Sequence, residues 1–190
     1  MKKNTVILAA TLAAFSLAGA CNRESLKATY DKQATYIEGF VSAQMKADTN
    51  ATLVRNGNAY RLTLHDTLDR LFGQRDSLTQ GGRASVYYAC FTLTGSTISS
   101  SNLVATNIRE IAESAGWSLS DTTRYKLDTL VLDNSLVKGL QEGLEGVQQY
   151  DECIVLFTGE SGFGNRQRGT IPARSALAYQ FWIENIDNGK

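Results

Sequence analysis

Residues 136–183 have the sequence LVKGLQEGLEGVQQYDECIVLFTGESGFGNRQRGTIPARSALAYQFWI, which contains one helix pattern followed by two strand patterns. From 136 to 147 an apolar residue recurs at every third or fourth position, which is the spacing of one helix face. Residues 153–157 are continuously apolar, and residues 177–183 alternate so that one strand face is apolar. The polar, glycine-rich stretch 159–169 predicts a loop. This region therefore predicts one short helix and two core strands.

Small and polar residues mark the limits of the predicted elements. Asp133-Asn134-Ser135 are expected to cap the first turn of the helix, because such side chains accept hydrogen bonds from free backbone N–H groups. Gly143 and Gly146 are expected to end it. Upstream, Asn56-Gly57-Asn58 and residues 80–82 are typical turn sequences.

The segments between these turns have mostly strand character. Residues 60–64 and 125–132 alternate between apolar and polar side chains, and residues 85–94 are rich in β-forming residues. Residues 107–115 have helical character and are followed by Gly116, a common residue after a helix end. Strands that flank one short helix predict an α+β domain with an antiparallel sheet.

The first 80 residues differ from the rest. Residues 22–50 carry apolar residues at near-helical spacing and no proline, which predicts a helix or a helix pair. Its apolar stripe would dock on the domain or on another copy of the chain, and the sequence leaves both open. We divide the chain into a lipoprotein signal peptide at 1–20, a helical N-terminal extension and linker at 21–80, and a globular domain at 81–190.

The amino terminus resembles the signal peptide of a bacterial lipoprotein. Lys2 and Lys3 precede an apolar stretch at 6–17 that is too short to span a membrane. Residues 17–21, Leu-Ala-Gly-Ala-Cys, resemble a lipobox, in which the cysteine is acylated and becomes the new amino terminus. The leucine lies four rather than three places before Cys21, so ordinary signal-peptidase cleavage remains an alternative. An acylated Cys21 implies a lipid anchor, and we expect an exported lipoprotein of the cell envelope, at the periplasmic face of the outer membrane.

Charge and the metal-ligating residues exclude other classes of site. Without the two lysines of residues 1–20, the chain has 17 basic and 19 acidic residues, which provides no field for holding nucleic acid. His65 is the single histidine and no Cys-x-x-Cys pair exists, so no metal site is expected. Cys90 and Cys153 lie in apolar runs and are expected to be buried thiols, although an exported compartment would permit a disulfide.

Five segments, in their order and spacing, resemble the FKBP-type peptidyl-prolyl isomerase family. The strongest are residues 136–144 (LVKGLQEGL), 154–164 (IVLFTGESGFG) and 169–177 (GTIPARSAL), the last of which contains the only proline of the chain. Weaker similarity covers residues 86–89 and 95–100, where the family has a strand ending in Tyr-Thr-Gly and then a Phe-Asp-Ser-Ser segment. With its amino-terminal signal, the chain resembles the bacterial lipoprotein form of this family.

The resemblance implies a twisted antiparallel sheet curled around one short helix, with an apolar pocket between them. Such a pocket isomerises Xaa-Pro bonds without a cofactor or metal, and its partners are proline-containing polypeptides. Carried over position by position, the residues implied to act directly are Tyr88, Phe163 and Tyr179. The residues implied to bind substrate are Ile98, Ser99, Val137 (through its backbone N–H), Leu140 and Ile171.

Several of these positions depart from the family pattern. Leu140 replaces a tryptophan, Phe163 a tyrosine and Ser99 an aspartate, so that apolar character is kept while polar anchors are lost. The leading hypothesis is a prolyl isomerase of reduced activity that assists the folding of exported proteins. The alternatives are a non-catalytic FKBP-like lipoprotein that binds an extended peptide or a partner protein, and a structural component of the envelope.

Overall fold

The structure is a computed structural model that describes residues 4–64 and 75–189, with side chains from residue 23 onward. The chain divides into two compact units, Met1–Lys32 and Gln33–Lys190, and helix α1 (Asn4–Ala47) begins in the first. The expected signal peptide and Cys21 lie outside the described side chains, and His65 lies outside the described residues. No helix in the described part is both long and apolar enough to cross a membrane.

The second unit is built around an antiparallel sheet. Its strands are β1 (Thr52–Asn56), β2 (Ala59–Thr63), β3 (Arg83–Thr92), β4 (Leu103–Thr106), β5 (Asp128–Val131), β6 (Glu152–Phe157) and β7 (Leu177–Asp187). The strand order is β1-β2-β6-β7-β3-β4, and β5 also pairs with β3. Between strands lie helices α2 (Arg109–Ser114) and α3 (Lys138–Leu144) and the 3-10 turns Ser100–Asn102 and Thr122–Arg124. The predicted α+β class with an antiparallel sheet is confirmed.

Helices pack against both faces of this sheet. On one face, Leu140 and Leu144 of α3 belong to an apolar core with Val155 of β6. On the other face, Ile37 and Phe40 of α1 are buried in a second core that includes residues of β6. The apolar stripe predicted at 22–50 therefore docks on the domain itself from Ile37 onward.

The β1–β2 hairpin belongs to the same sheet. β2 pairs with β6 along its whole length, from Ala59 opposite Phe157 to Thr63 opposite Cys153. The compact unit accordingly begins at Gln33, which differs from the domain start expected at residue 81. The sequence signal for this hairpin is weak because the side chains of β1 are mostly exposed, so only the second strand shows an apolar pattern.

Two glycines allow α3 to approach β6 closely. Gly139 and Gly143 are four positions apart and therefore lie on the same helix face. A Cβ atom added to Gly139 would overlap the ring of Phe157, and one added to Gly143 would overlap the side chain of Val155. Gly143 is thus a contact residue inside the helix, and the prediction that it ends the helix was wrong.

The predicted cap was also wrong. The helix begins after Val137, which makes no side-chain capping hydrogen bond. The Asp133 carboxylate instead accepts a hydrogen bond of 2.8 Å from the N–H of Ser135, within a separate turn that precedes the helix. At the other end, Gly146 follows the helix with φ of +75°, a conformation that favours glycine.

Candidate functional site

Four aromatic rings meet on the α3 side of the sheet: Tyr88 of β3, Phe157 of β6, and Tyr179 and Phe181 of β7. The rings of Tyr179 and Phe181 stack with centroids 5.6 Å apart, and Tyr88 lies 6.4 Å from each of them. Phe157 stacks on Tyr179 at 6.0 Å. Such separations are those of directly interacting rings. We name these four residues the aromatic cluster.

The other predicted residues that reach this place come from α3 and from the β6–β7 loop. Val137 and Leu140 lie at the start of α3, while Phe163 and Ile171 lie in the loop, and all four pack against the core that contains the aromatic cluster. Leu140 and Ile171 are 8% and 7% exposed, whereas Val137 and Phe163 are half-buried. The two tyrosines of the aromatic cluster are half-buried as well. A ligand can therefore reach an apolar surface built from these side chains, which we name the α3 surface.

Ile98 and Ser99 are not brought to the α3 surface. Ser99 is exposed and its hydroxyl caps the 3-10 turn Ser100–Asn102, accepting a hydrogen bond from the N–H of Ser101. Ile98 packs with core residues on the opposite face of the sheet, among them Phe91 and Leu103. The assignment of these two residues to the binding surface is corrected. They lie in the connection after β3, and one sequence does not fix the alignment of a connection whose length varies.

The strands after this connection supply residues that the motifs did not reveal. Val104 and Ala105 of β4, Leu130 of β5 and the neighbouring Leu136 are half-buried against the core of the aromatic cluster. Thr170, beside Ile171, donates a hydrogen bond of 2.6 Å from its hydroxyl to the Val104 carbonyl. The short apolar run of residues 103–105 was the available signal, but three residues are too few for a periodic pattern.

The neck of the β6–β7 loop is closed by a side chain of α1. The Gln33 side chain accepts a hydrogen bond of 2.9 Å from the N–H of Gly159 and donates one of 2.6 Å to the carbonyl of Arg174. Arg174 adopts φ of +61°, and its N–H donates to the Gly164 carbonyl at 2.6 Å. Gln33 is only 9% exposed; its bond with Gly159 is buried and its bond with Arg174 is partly buried. The loop that carries Phe163 and Ile171 is thereby fixed at both ends.

The hydroxyl and thiol groups next to the α3 surface stay protonated at neutral pH. Burial raises the pKa of Tyr179, whose side chain is hydrogen-bonded to that of Cys90 on the neighbouring strand. Burial also raises the pKa of the Cys90 thiol to about 12. The pKa of Tyr88 is raised by burial first and by the nearby Asp128 carboxylate second. These groups can donate hydrogen bonds but are poor nucleophiles.

The two described cysteines are free thiols on different strands. Cys90 on β3 lies opposite Tyr179, and Cys153 on β6 lies opposite Phe181, so strand β7 separates them. Two strand spacings place the cysteines about 9.5 Å or more apart, whereas a disulfide needs Cα atoms within about 7 Å. The disulfide that an exported compartment would permit is therefore excluded by the register. Burial raises the pKa of Cys153 to about 12 as well.

Within residues 4–64 and 75–189, the N–H of Val137 has no hydrogen-bond acceptor, as is usual for the start of a helix. It is therefore available to a ligand carbonyl. In the same described ranges, no group of three or more histidine, cysteine or acidic side chains is arranged to hold a metal ion.

No family model and no curated protein sequence matches the chain. Solved structures do resemble it. FkpA from Escherichia coli is 13% identical with a TM-score of 0.53, covering 98% of this chain and 74% of that one. A peptidyl-prolyl cis-trans isomerase from Pseudomonas syringae pv. tomato is 13% identical with a TM-score of 0.54, covering 85% and 96%. The three FKBP domains of wheat FKBP73 are 11% identical with a TM-score of 0.53, covering 72% and 50%. The chain thus has an FKBP-like α+β fold.

Proposed function

We propose that the protein is a peptidyl-prolyl cis–trans isomerase whose substrate site is the α3 surface. One observation carries this proposal: residues chosen from separate sequence motifs meet on a single apolar surface in an FKBP-like fold. These residues are Tyr88, Val137, Leu140, Phe163, Ile171 and Tyr179. A core-packing role alone would not require four of them to remain partly exposed.

The chemistry needs no nucleophile or cofactor. Rotation about a peptide bond faces a barrier of roughly 18–20 kcal/mol, because planarity carries the resonance energy. An Xaa-Pro bond populates both isomers, which exchange over tens to hundreds of seconds. A catalyst must therefore bind the twisted amide more tightly than either planar form.

The α3 surface offers two means of doing so. The twisted amide has lost charge separation, so an apolar environment penalises it less than the planar amide. The rings of Tyr179 and Phe163 and the side chain of Leu140 provide that environment for a proline ring. The free N–H of Val137 is available to hold the substrate carbonyl while the bond turns. The Tyr88 hydroxyl, which stays protonated, can donate a second hydrogen bond.

The amino-terminal sequence supports a location of this activity in the cell envelope. We propose that Cys21 is acylated and tethers the protein to the periplasmic face of the outer membrane. There the substrates would be exported polypeptides, whose Xaa-Pro bonds limit the rate of folding. Mass spectrometry of the mature protein would detect the acyl groups on Cys21, and Cys21→Ser would release the protein from membranes if the proposal holds.

A non-catalytic binding protein is the alternative, and specific residues favour it. Leu140 and Phe163 carry no polar group, and Ser99 lies away from the α3 surface. Each missing hydrogen bond weakens transition-state binding by about 0.5–1.5 kcal/mol, which is up to about tenfold in rate. A surface with these losses would still hold an extended proline-containing peptide or a partner protein.

Peptide titration tests whether the α3 surface is the binding site in either case. The protein, labelled with nitrogen-15, is titrated with Ala-Leu-Pro-Phe and with Ala-Leu-Ala-Phe as the control peptide. We expect the proline peptide to shift the amide signals of Val137 and Phe163, and to bind more tightly than its control. Phe163→Ala should weaken binding, whereas Ser99→Ala should not. Equal binding of both peptides, or shifts confined to other residues, would refute the site.

A further inference from the structure

A cavity of about 770 Å³ lies on the face of the sheet opposite the α3 surface. Tyr87 and Trp182 line it, and they are directly opposite each other on β3 and β7. Because successive side chains of a strand point to opposite faces, Tyr87 points away from its neighbour Tyr88 of the aromatic cluster. The cavity is therefore separate from the proposed isomerase site.

A change of strand partners along β3 creates this cavity. β3 pairs with β4 through Ala89–Phe91 and with β5 through Arg83–Val86, so residues 107–127 leave the sheet between the two pairings. The Asn107 side chain fills the gap: it accepts a hydrogen bond from the N–H of Tyr88 and donates to the Val86 carbonyl. The segment that leaves the sheet contains α2 and the turn Thr122–Arg124, and it forms the wall of the cavity.

Three charged side chains line the cavity. The side chains of Arg109 and Glu110 of α2 and of Glu184 of β7 form no ion pair or hydrogen bond within the described part of the chain. All three are exposed. Their charges give the rim of the cavity a net negative charge next to the half-buried rings of Tyr87 and Trp182.

We propose that this cavity binds a polypeptide segment through a lysine or arginine side chain flanked by apolar residues. A cation over the face of a tryptophan or tyrosine ring is attracted by the negative charge of that face. The carboxylates of Glu110 and Glu184, which line the same cavity as the rings, supply the counter-charge, and their excess over the one guanidinium disfavours an acidic segment. The volume lies within the usual range for ligand sites and holds the basic side chain together with an apolar neighbour.

The unpaired Arg109 distinguishes a peptide from a free cation. A guanidinium is a good donor to the backbone carbonyls of an extended peptide, a contact that an isolated cation does not offer. Glu110 and Glu184 thus contact the basic side chain of the segment, and Arg109 donates hydrogen bonds to its main-chain carbonyls. It needs no proline, and it stands whether or not the α3 surface is an isomerase site.

Titration of the full chain with a peptide, followed by NMR, tests the proposal. The probe is the proline-free peptide Gly-Ser-Leu-Lys-Leu-Ser-Gly, and its control replaces lysine with glutamate. We expect the lysine peptide to shift the indole N–H signal of Trp182, which a Trp182→Phe variant assigns, and to bind less tightly as the salt concentration rises. The glutamate peptide should leave this signal unmoved.

Charge-removing variants locate the contact. Glu110→Gln with Glu184→Gln should weaken binding of the lysine peptide by about fivefold or more, because one cation loses both counter-charges. Glu113→Gln, an exposed residue on the same helix that does not line the cavity, is the matched control and should bind as the unaltered protein does. Equal binding of both peptides, or no effect of the double variant, would overturn the proposal.

Discussion

The side-chain amide of Gln33 donates a hydrogen bond of 2.6 Å to the carbonyl of Arg174, 141 positions later in the chain. The same side chain accepts from the N–H of Gly159, so one residue of α1 holds both ends of the loop that carries Phe163 and Ile171. This contact links α1, which lies outside the recognised motifs, to the loop that carries two residues of the α3 surface. It gives α1 a role that its own sequence does not indicate.

Removing this contact should loosen the loop. Gln33→Ala leaves the buried N–H of Gly159 and the part-buried carbonyl of Arg174 without this partner, which should cost about 1–3 kcal/mol in the free energy of unfolding. Hydrogen exchange should accelerate in residues 159–174, and binding of the proline peptide should weaken. Ser42→Ala, at an exposed position of the same helix, is the control. Unchanged exchange in the loop of the Gln33 variant would show that the amide does not position it.

Substitution of the helix glycines should destabilise the fold despite a gain in helix propensity. Alanine in place of Gly139 or Gly143 favours the helix by about 1 kcal/mol. The added methyl group would overlap the ring of Phe157 or the side chain of Val155, and overpacking of this kind costs about 1–3 kcal/mol or more. We expect a lower midpoint of chemical denaturation for both variants. Lys138→Ala, exposed on the same helix, should change it little, and a stabilised Gly139 variant would contradict the close packing.

The buried thiols predict a decline of stability at high pH. The pKa values of Cys90 and Cys153 are raised to about 12 from 9.0, so the folded state holds these protons more tightly than the unfolded state does. Their contribution is complete below pH 9 and is lost as the pH rises from about 9 to about 12. The expected slope is up to about 1.4 kcal/mol per pH unit for each thiol. Chemical denaturation measured across this range tests it.

Chemical reactivity provides an independent check on the same thiols. Iodoacetamide should label neither cysteine in the folded protein near pH 8, because both side chains are buried and protonated. Both should react after denaturation. A Cys153→Ala variant should lose part of the slope of stability against pH. Rapid labelling of the folded protein would show that the core around β6 and β7 opens.

We expect that removing the Tyr125 hydroxyl stabilises the protein. It is buried and has no hydrogen-bond partner among the described residues. Tyr125→Phe removes an unpaired polar group while keeping the ring, so the free energy of unfolding should rise by about 1 kcal/mol. Tyr87→Phe, at a half-buried ring of the same cavity, is the control. A loss of stability on Tyr125→Phe would indicate that this hydroxyl is paired in solution.

The antiparallel sheet and most of the site could be predicted because their signals are local and ordered. Leu177 to Ile183 alternate in sequence and lie on β7 in the structure, and the motif around Ile171 precedes that strand as expected. Position-by-position transfer led to residues that meet on one surface where segments have fixed length, as for Val137 and Leu140. These residues join one surface because α3 and β7 pack directly against the same core.

Transfer did not work across segments of variable length. Ile98 and Ser99 were assigned across the connection after β3, and the strand that reaches the α3 surface is β4, with Val104. The role of α1 was also out of reach, because a helical stripe shows that a face is buried without showing its partner. Gly143 was misread as a helix end because propensity alone disfavours glycine, whereas contact with Val155 requires it.

The rate of prolyl isomerisation tests the central proposal most directly. Exchange between the cis and trans forms of Ala-Leu-Pro-Phe is measured by NMR, with and without the folded, monodisperse protein. We expect acceleration above the uncatalysed rate, reduced by Phe163→Ala and unaffected by Ser99→Ala. Binding of the peptide without any acceleration would contradict an isomerase and leave the α3 surface as a site for binding proline-containing segments.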